Sequence, residues 1–178
     1  KGRTSDGNLE FTNVTGALAA STSDGNINVQ KIKGSVAVKS SDGDVRLESI
    51  NGDARAGTSD GNISVARISG NTSLKTSDGN ITFEDLSGSL TASTSDGNVT
   101  GNVLELKGEL TIKTSDGNIA VIIPGRLGLD LNIKGESLVV PLTNFTGQSD
   151  EKSIQGKSNG GGIPVNLSTS GNIKLSYR

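Results

Sequence analysis

Acidic side chains recur in this chain at a spacing that suggests a ladder for cations. The pentapeptide Thr-Ser-Asp-Gly-Asn places Asp6, Asp24, Asp60, Asp78, Asp96 and Asp116, and Ser-Ser-Asp-Gly-Asp supplies Asp42. The intervals between them are 18, 18, 18, 18, 18 and 20 residues. Hard oxygen donors held by Gly-rich turns are calcium chemistry, and calcium-binding β-rolls use coils of about 18 residues. Those rolls carry acidic turns at both ends of each coil. Here Asp stands at one turn only, and a lone Gly marks the other. The same residues therefore read first as turn chemistry, with Asp bonding a nearby backbone N–H and Gly taking positive φ. A calcium ladder of Asp6, Asp24, Asp42, Asp60, Asp78, Asp96 and Asp116 is the alternative. Carboxylates ~4.8 Å apart in water repel by less than ~1 kcal/mol, so repulsion alone demands no ion.

Other chemistries find fewer candidates. The 178 residues include no Cys, His, Met or Trp. Thiol chemistry, soft-ligand zinc sites and histidine acid–base catalysis thus have no side chains to work with. Aromatics make up 2% of the chain and its formal net charge is −2, so it offers neither a stacking platform nor a positive field for nucleic acid. Polysaccharide-cleaving sites need a converging pair of carboxylates. The acids outside the ladder, Glu10, Glu48, Glu84, Asp85, Glu105 and Glu109, are scattered, and no catalytic residue and no cofactor is assigned. An ice-binding face would need a flat, uncharged array, which Lys39, Asp53, Arg55, Lys75, Glu109 and Lys113 interrupt.

The elements that carry the ladder follow from its period. A second marker, Gly16, Gly34, Gly52, Gly70, Gly88 and Gly108, recurs between the Asp-Gly turns. Apolar residues alternate in between, as in Ile27 and Val29, then Ile32, then Val36 and Val38. Alternation with period two, rich in Val and Ile, is the signature of half-buried strands, and no stretch has a helical period. The prediction is an all-β solenoid of about 18 residues per coil, a single-stranded parallel β-helix with two main strands and a short third segment in each coil. One coil cannot bury enough to fold alone, so stability belongs to the stack. An Asn ladder (Asn8, Asn26, Asn62, Asn80, Asn98, Asn118 and Asn172, with Asp44 substituting) is expected to bond amide to amide along the axis. The inward Thr22, Thr58, Thr76, Thr94 and Thr114 are expected to satisfy backbone groups at the corner.

The whole chain reads as one domain, with regular coils over 1–123 and irregular ones over 124–178. A two-residue insertion around Gly101, which replaces an inward aliphatic, predicts a bulge. The polar, Gly-rich stretch 143–162 predicts a protruding loop or mobile cover, and the C-terminal part is expected to cap the open sheet edge. Counting degenerate corners at Lys134-Gly135-Glu136 and Ser170-Gly171-Asn172 gives about nine turns and a rod on the order of 40 Å long. The longest apolar runs, such as Leu138 to Leu142, are far too short to span a bilayer.

The Ser-Asp-Gly-Asn-Ile repeats, the spaced glycines and the closing Asn159-Gly160-Gly161-Gly162-Ile163-Pro164-Val165 resemble a bacterial family of β-strand-repeat, adhesin-type domains. That family is related to LiaG-like envelope proteins and to head domains of autotransporter adhesins. The resemblance covers essentially the whole chain. It implies a right-handed parallel β-helix and an extracytoplasmic, secreted or envelope-associated place, and it carries no catalytic motif. The function expected from it is a noncatalytic surface scaffold for interaction, with a surface protein or glycan as partner. A calcium-stabilised β-roll-like binding module is the alternative.

Overall fold

Strands stack in parallel at one rung per coil, because each 18-residue period returns the same side chain to the same place above its predecessor. The computed structural model describes residues 1–178 and contains no helix. One face is built from β2 (Leu9–Thr12), β4 (Ile27–Lys33), β6 (Val45–Asn51) and β8 (Ile63–Ser69). A second is built from β1 (Gly2–Arg3), β3 (Leu18–Ser21), β5 (Val36–Lys39), β7 (Ala54–Gly57) and β9 (Thr72–Lys75). Two longer strands, β10 (Ile81–Ser93) and β11 (Val99–Lys113), contribute to both. The C-terminal part adds β12 (Ile119–Ile123), β13 (Leu129–Lys134), β14 (Ser137–Val139), β15 (Phe145–Ser149), β16 (Ser153–Ser158), β17 (Ile163–Ser168) and β18 (Asn172–Tyr177). The result is a β-solenoid of about seven turns with ~18 residues per turn, and the expected count of nine is reached only by including the shorter rungs of β17 and β13.

Register shows why small aliphatics suffice. Ile27 pairs with Val45, Val45 with Ile63, Ile63 with Ile81 and Ile81 with Val99, so like packs on like along the axis. The interior is one continuous cluster of 37 buried apolar residues running the length of the stack, which no single coil could supply. Phe83 is the one aromatic in that cluster, and it lies opposite Gly101. A Cβ at Gly101 would come within 2.6 Å of the Phe83 ring, so the missing side chain makes room for the ring. The expected bulge is there, as register shifts between β10 and β11 after Phe83 and after Leu86.

The short third segment is also there: Ile32 pairs with Ile50 and Ile50 with Ile68. Its corner is unmarked by Gly or Pro. Asn13, Lys31, Ser49, Arg67 and Asp85 turn it with φ of 59, 56, 59, 54 and 51 degrees, a left-handed conformation uncommon for such residues. Gly34, Gly52, Gly70 and Gly88 turn the next corner with φ between 140 and 154 degrees.

Rung order departs from chain order at the C-terminal end. β17 pairs with β11 on one side and β13 on the other, and β18 lies between β12 and β14. The last coil in sequence is therefore inserted beneath the one that precedes it. Both degenerate corners join the Asp column in exchanged order, Ser170 bonding to Ser115 and Glu136 to Gly171. The stretch expected as a protruding loop or mobile cover is instead a hairpin of β15 and β16. β16 runs antiparallel to β13 and covers its outer edge, with β15 as the last strand beyond it.

One interior position is chemically mismatched. Thr72 continues the buried column of Val36, Ala54 and Leu90, and its hydroxyl has no hydrogen-bond partner. Thr72→Val keeps the shape and removes an unsatisfied group, so it is expected to raise unfolding free energy by about 1 kcal/mol in urea titration. An unchanged or lower value would show the hydroxyl to be satisfied.

Candidate functional site

The Asp-Gly corner is the most repeated surface feature, and its construction differs from the sequence expectation. In the coil at Thr58, the buried hydroxyl accepts from Gly61 N at 3.4 Å and faces two carbonyls of the preceding coil, Ser41 at 2.9 Å and Gly43 at 3.0 Å. The same set recurs at Thr22, Ser40, Thr76 and Thr114, and Thr94 keeps the two carbonyl contacts. Thr, and not Asp, closes the turn. The corner glycines Gly25, Gly43, Gly61, Gly79, Gly97 and Gly117 are outside the positive-φ region expected for them. They are required because a Cβ would collide with the carbonyl of the glycine one coil below.

The Asn ladder is real but differently wired. Each side-chain Oδ1 accepts the backbone N–H of the next coil, as in Asn80 N to Asn62 Oδ1 at 3.0 Å. Amide-to-amide bonds accompany this only on some rungs, such as Asn80 Nδ2 to Asn62 at 3.3 Å. Because the oxygen does the work, Asp44 fits the ladder and accepts Asn62 N at 2.7 Å.

Asp6, Asp24, Asp42, Asp60, Asp78, Asp96 and Asp116 all stand exposed at this corner, one per rung. Desolvation first, then the charges of Asp42 and Asp6, lifts the Asp24 carboxyl above the usual carboxylate range. This cost acts at neutral pH and fades as pH falls through the raised folded-state value. No three carboxylates converge on one point as a calcium shell of six to eight oxygens requires. Added calcium is accordingly expected to leave the melting temperature unchanged, whereas a bound ion would raise it with concentration. Three of the remaining acids are held in ion pairs. Glu48 pairs with Arg46 and Arg67, Glu105 with Lys107, and Glu136 with Lys152. The hydrogen bond from Arg46, aided by the Arg67 charge, holds the Glu48 carboxyl below the usual range.

The column that sequence reading passed over is basic. At the end of the second-face strands the register runs Arg3, Ser21, Lys39, Gly57, Lys75, Ser93, Lys113, Ser168 and Lys134. A cation stands on every second rung and a small residue between each pair. All five cations are exposed, and none is in a salt bridge. The spacings from Arg3 to Lys39 to Lys75 were visible as 36-residue steps. Lys134 was not, because the inserted strand β17 is what places it two rungs beyond Lys113.

No curated protein and no solved structure matches the chain. The family model described as Toastrack DUF4097 matches residues 3–67 and 36–176, two overlapping stretches of the kind an internal repeat produces. The repeated corner, the parallel stack and this match agree: the chain belongs to the Toastrack DUF4097 family, LiaG-like β-solenoid domains of unknown function.

Proposed function

We propose that this domain is a noncatalytic, rigid scaffold of the bacterial surface or envelope, an adhesin-type module that presents columns of repeated side chains to a partner. The observation that carries the reading is the form of its surface. The Asp and Asn columns of the corner repeat rung by rung along the regular coils, so the molecule offers long ordered faces. The depression over Gly57 is lined by Ser59, Ser73 and Ser77 together with Lys39, Arg55 and Lys75. The acids outside the corner are mostly paired with bases or tied into hydrogen bonds, which favours binding over acid–base chemistry. The envelope location rests on the resemblance of the repeats to adhesin-type domains.

The test is made in the native host. Fractionation is expected to find the protein outside the cytoplasm, and deletion of residues 1–178 is expected to reduce attachment of cells to a surface. Recovery of the protein in the cytoplasm, or attachment that survives the deletion unchanged, would overturn the proposal.

A further inference from the structure

The alternating column of Arg3, Lys39, Lys75, Lys113 and Lys134 has a spacing, and the spacing has a chemical counterpart. Neighbouring rungs lie about 4.8 Å apart, so successive cations recur every ~9.6 Å and the five span roughly 38 Å. Alternation keeps like charges from standing directly opposite each other, which would be destabilising. It also leaves a valley between each pair, floored by half-buried Ser21, Gly57, Ser93 or Ser168. Depressions occupy these valleys. One lies between Lys39 and Lys75 over Gly57, with Arg55 on its wall. Another lies between Lys113 and Lys134 over Ser168, with Thr111, Asn132 and Asn166. A third runs from Arg3 over Ser21.

The acids of this face make no ion pair with the column. Asp53 and Asp130 lie on its far side, Glu109 lines the depression between Lys113 and Lys134, and all three are already engaged. Asp53 accepts Asn71 N at 2.8 Å, Glu109 accepts Asn166 Nδ2 at 3.0 Å, and Asp130 accepts Gly162 N at 3.3 Å. Three residues beyond Lys39 and Lys75, around the corner, stand Asp42 and Asp78 of the acidic ladder. Formal charge therefore changes sign across that corner, and the acidic ladder would disfavour an anion that strays from the basic column.

We propose that this column is a track for a linear acidic glycan bearing one carboxylate or sulfate per disaccharide. The proposal rests on the reading of the domain as an interaction scaffold and names the partner's chemistry. Two pyranose rings in an extended β-linked chain span about the length of two rungs, so each anion meets a cation while the intervening ring crosses a valley. Hydroxyl and amide groups of the sugar find Ser73, Thr111, Asn132 and Asn166 in the central column as hydrogen-bond partners. Duplex nucleic acid carries a charge every ~3.4 Å of each strand, about three times the density of the column. A lipid surface would favour protruding apolar or aromatic side chains, and this face has none among its central or basic columns. Individual contacts are weak, and affinity comes from their number.

The test titrates the intact domain, at low salt, with labelled oligosaccharides of alternating glucuronate and N-acetylglucosamine. Binding is expected to tighten with length up to five disaccharides, to weaken with added salt, and to vanish when the carboxyls are reduced to alcohols. The Lys39→Gln/Lys75→Gln/Lys113→Gln variant is expected to bind about tenfold more weakly, and Lys75→Gln alone to show a smaller loss. Its melting temperature should be unchanged, because these side chains are exposed. Lys33→Gln/Lys107→Gln/Lys174→Gln, off the column, is expected to bind like the parent. Equal affinity for the reduced sugar, or no loss in the column variants, would overturn the proposal. Tighter binding to anionic vesicles or to single-stranded DNA would overturn it in favour of lipid or nucleic acid. If cells carrying the column variant attach normally while the domain deletion does not, the track fails and the scaffold stands.

Discussion

Gly61→Ala is expected to destabilise the domain by about 3 kcal/mol or more, read as a drop in the urea midpoint, with loss of cooperativity around the fourth coil. The added Cβ would collide with the Gly43 carbonyl and sit 2.9 Å from Asp44 N. Both are backbone of the rung below, which cannot retreat without breaking its own ladder. Gly7→Ala in the isolated domain is the internal control, since it lies in the same pentapeptide and its Cβ meets no backbone of another coil. Its Cβ would meet only the Thr4 side chain, nearest at Oγ1, 3.2 Å away, and a loss of about 1 kcal/mol or less is expected. Equal losses at the two sites would show that the glycine serves the turn and not the stack.

Thr58→Val is expected to cost about 2–3 kcal/mol, because it strips a buried hydroxyl from three backbone groups while leaving the shape nearly intact. Thr58→Ser should cost about 1 kcal/mol or less, the value of a buried methyl group. The molecule already contains that substitution. Ser40 occupies the same corner, fully buried, and makes all three contacts, to Ser23 at 3.2 Å, Gly25 at 3.0 Å and from Gly43 N at 3.1 Å. A Val variant as stable as the Ser variant would place the role in packing instead of hydrogen bonding.

Period was enough to read most of this architecture before any coordinates. The strands, their inward residues and two of the three corners follow from side-chain alternation and Gly spacing, since an 18-residue period can only stack like on like. What escaped had physical reasons. The corner at Lys31 and Arg67 uses residues that seldom adopt positive φ, so no local preference announces it. Asp-Gly suggests a turn governed by φ, whereas the constraint on Gly61 comes from a neighbour 18 residues away, which local turn chemistry does not contain. The basic column was half legible. Lys39, Lys75 and Lys113 were noted only as interruptions of a flat face, and Lys134 joins them through a strand order that does not follow the chain.

That strand order gives the domain a mechanical polarity. Force applied at residue 1 of the isolated domain meets β1, paired with β3, and then β2, paired with β4, so coils unzip one after another. Force applied at the C-terminus meets β18, gripped by β12 over five residue pairs and by β14 over three, with β17 clamped likewise between β11 and β13. Two ladders must shear together before the first residue comes free. A tether at that end would hold under a load that peels the other.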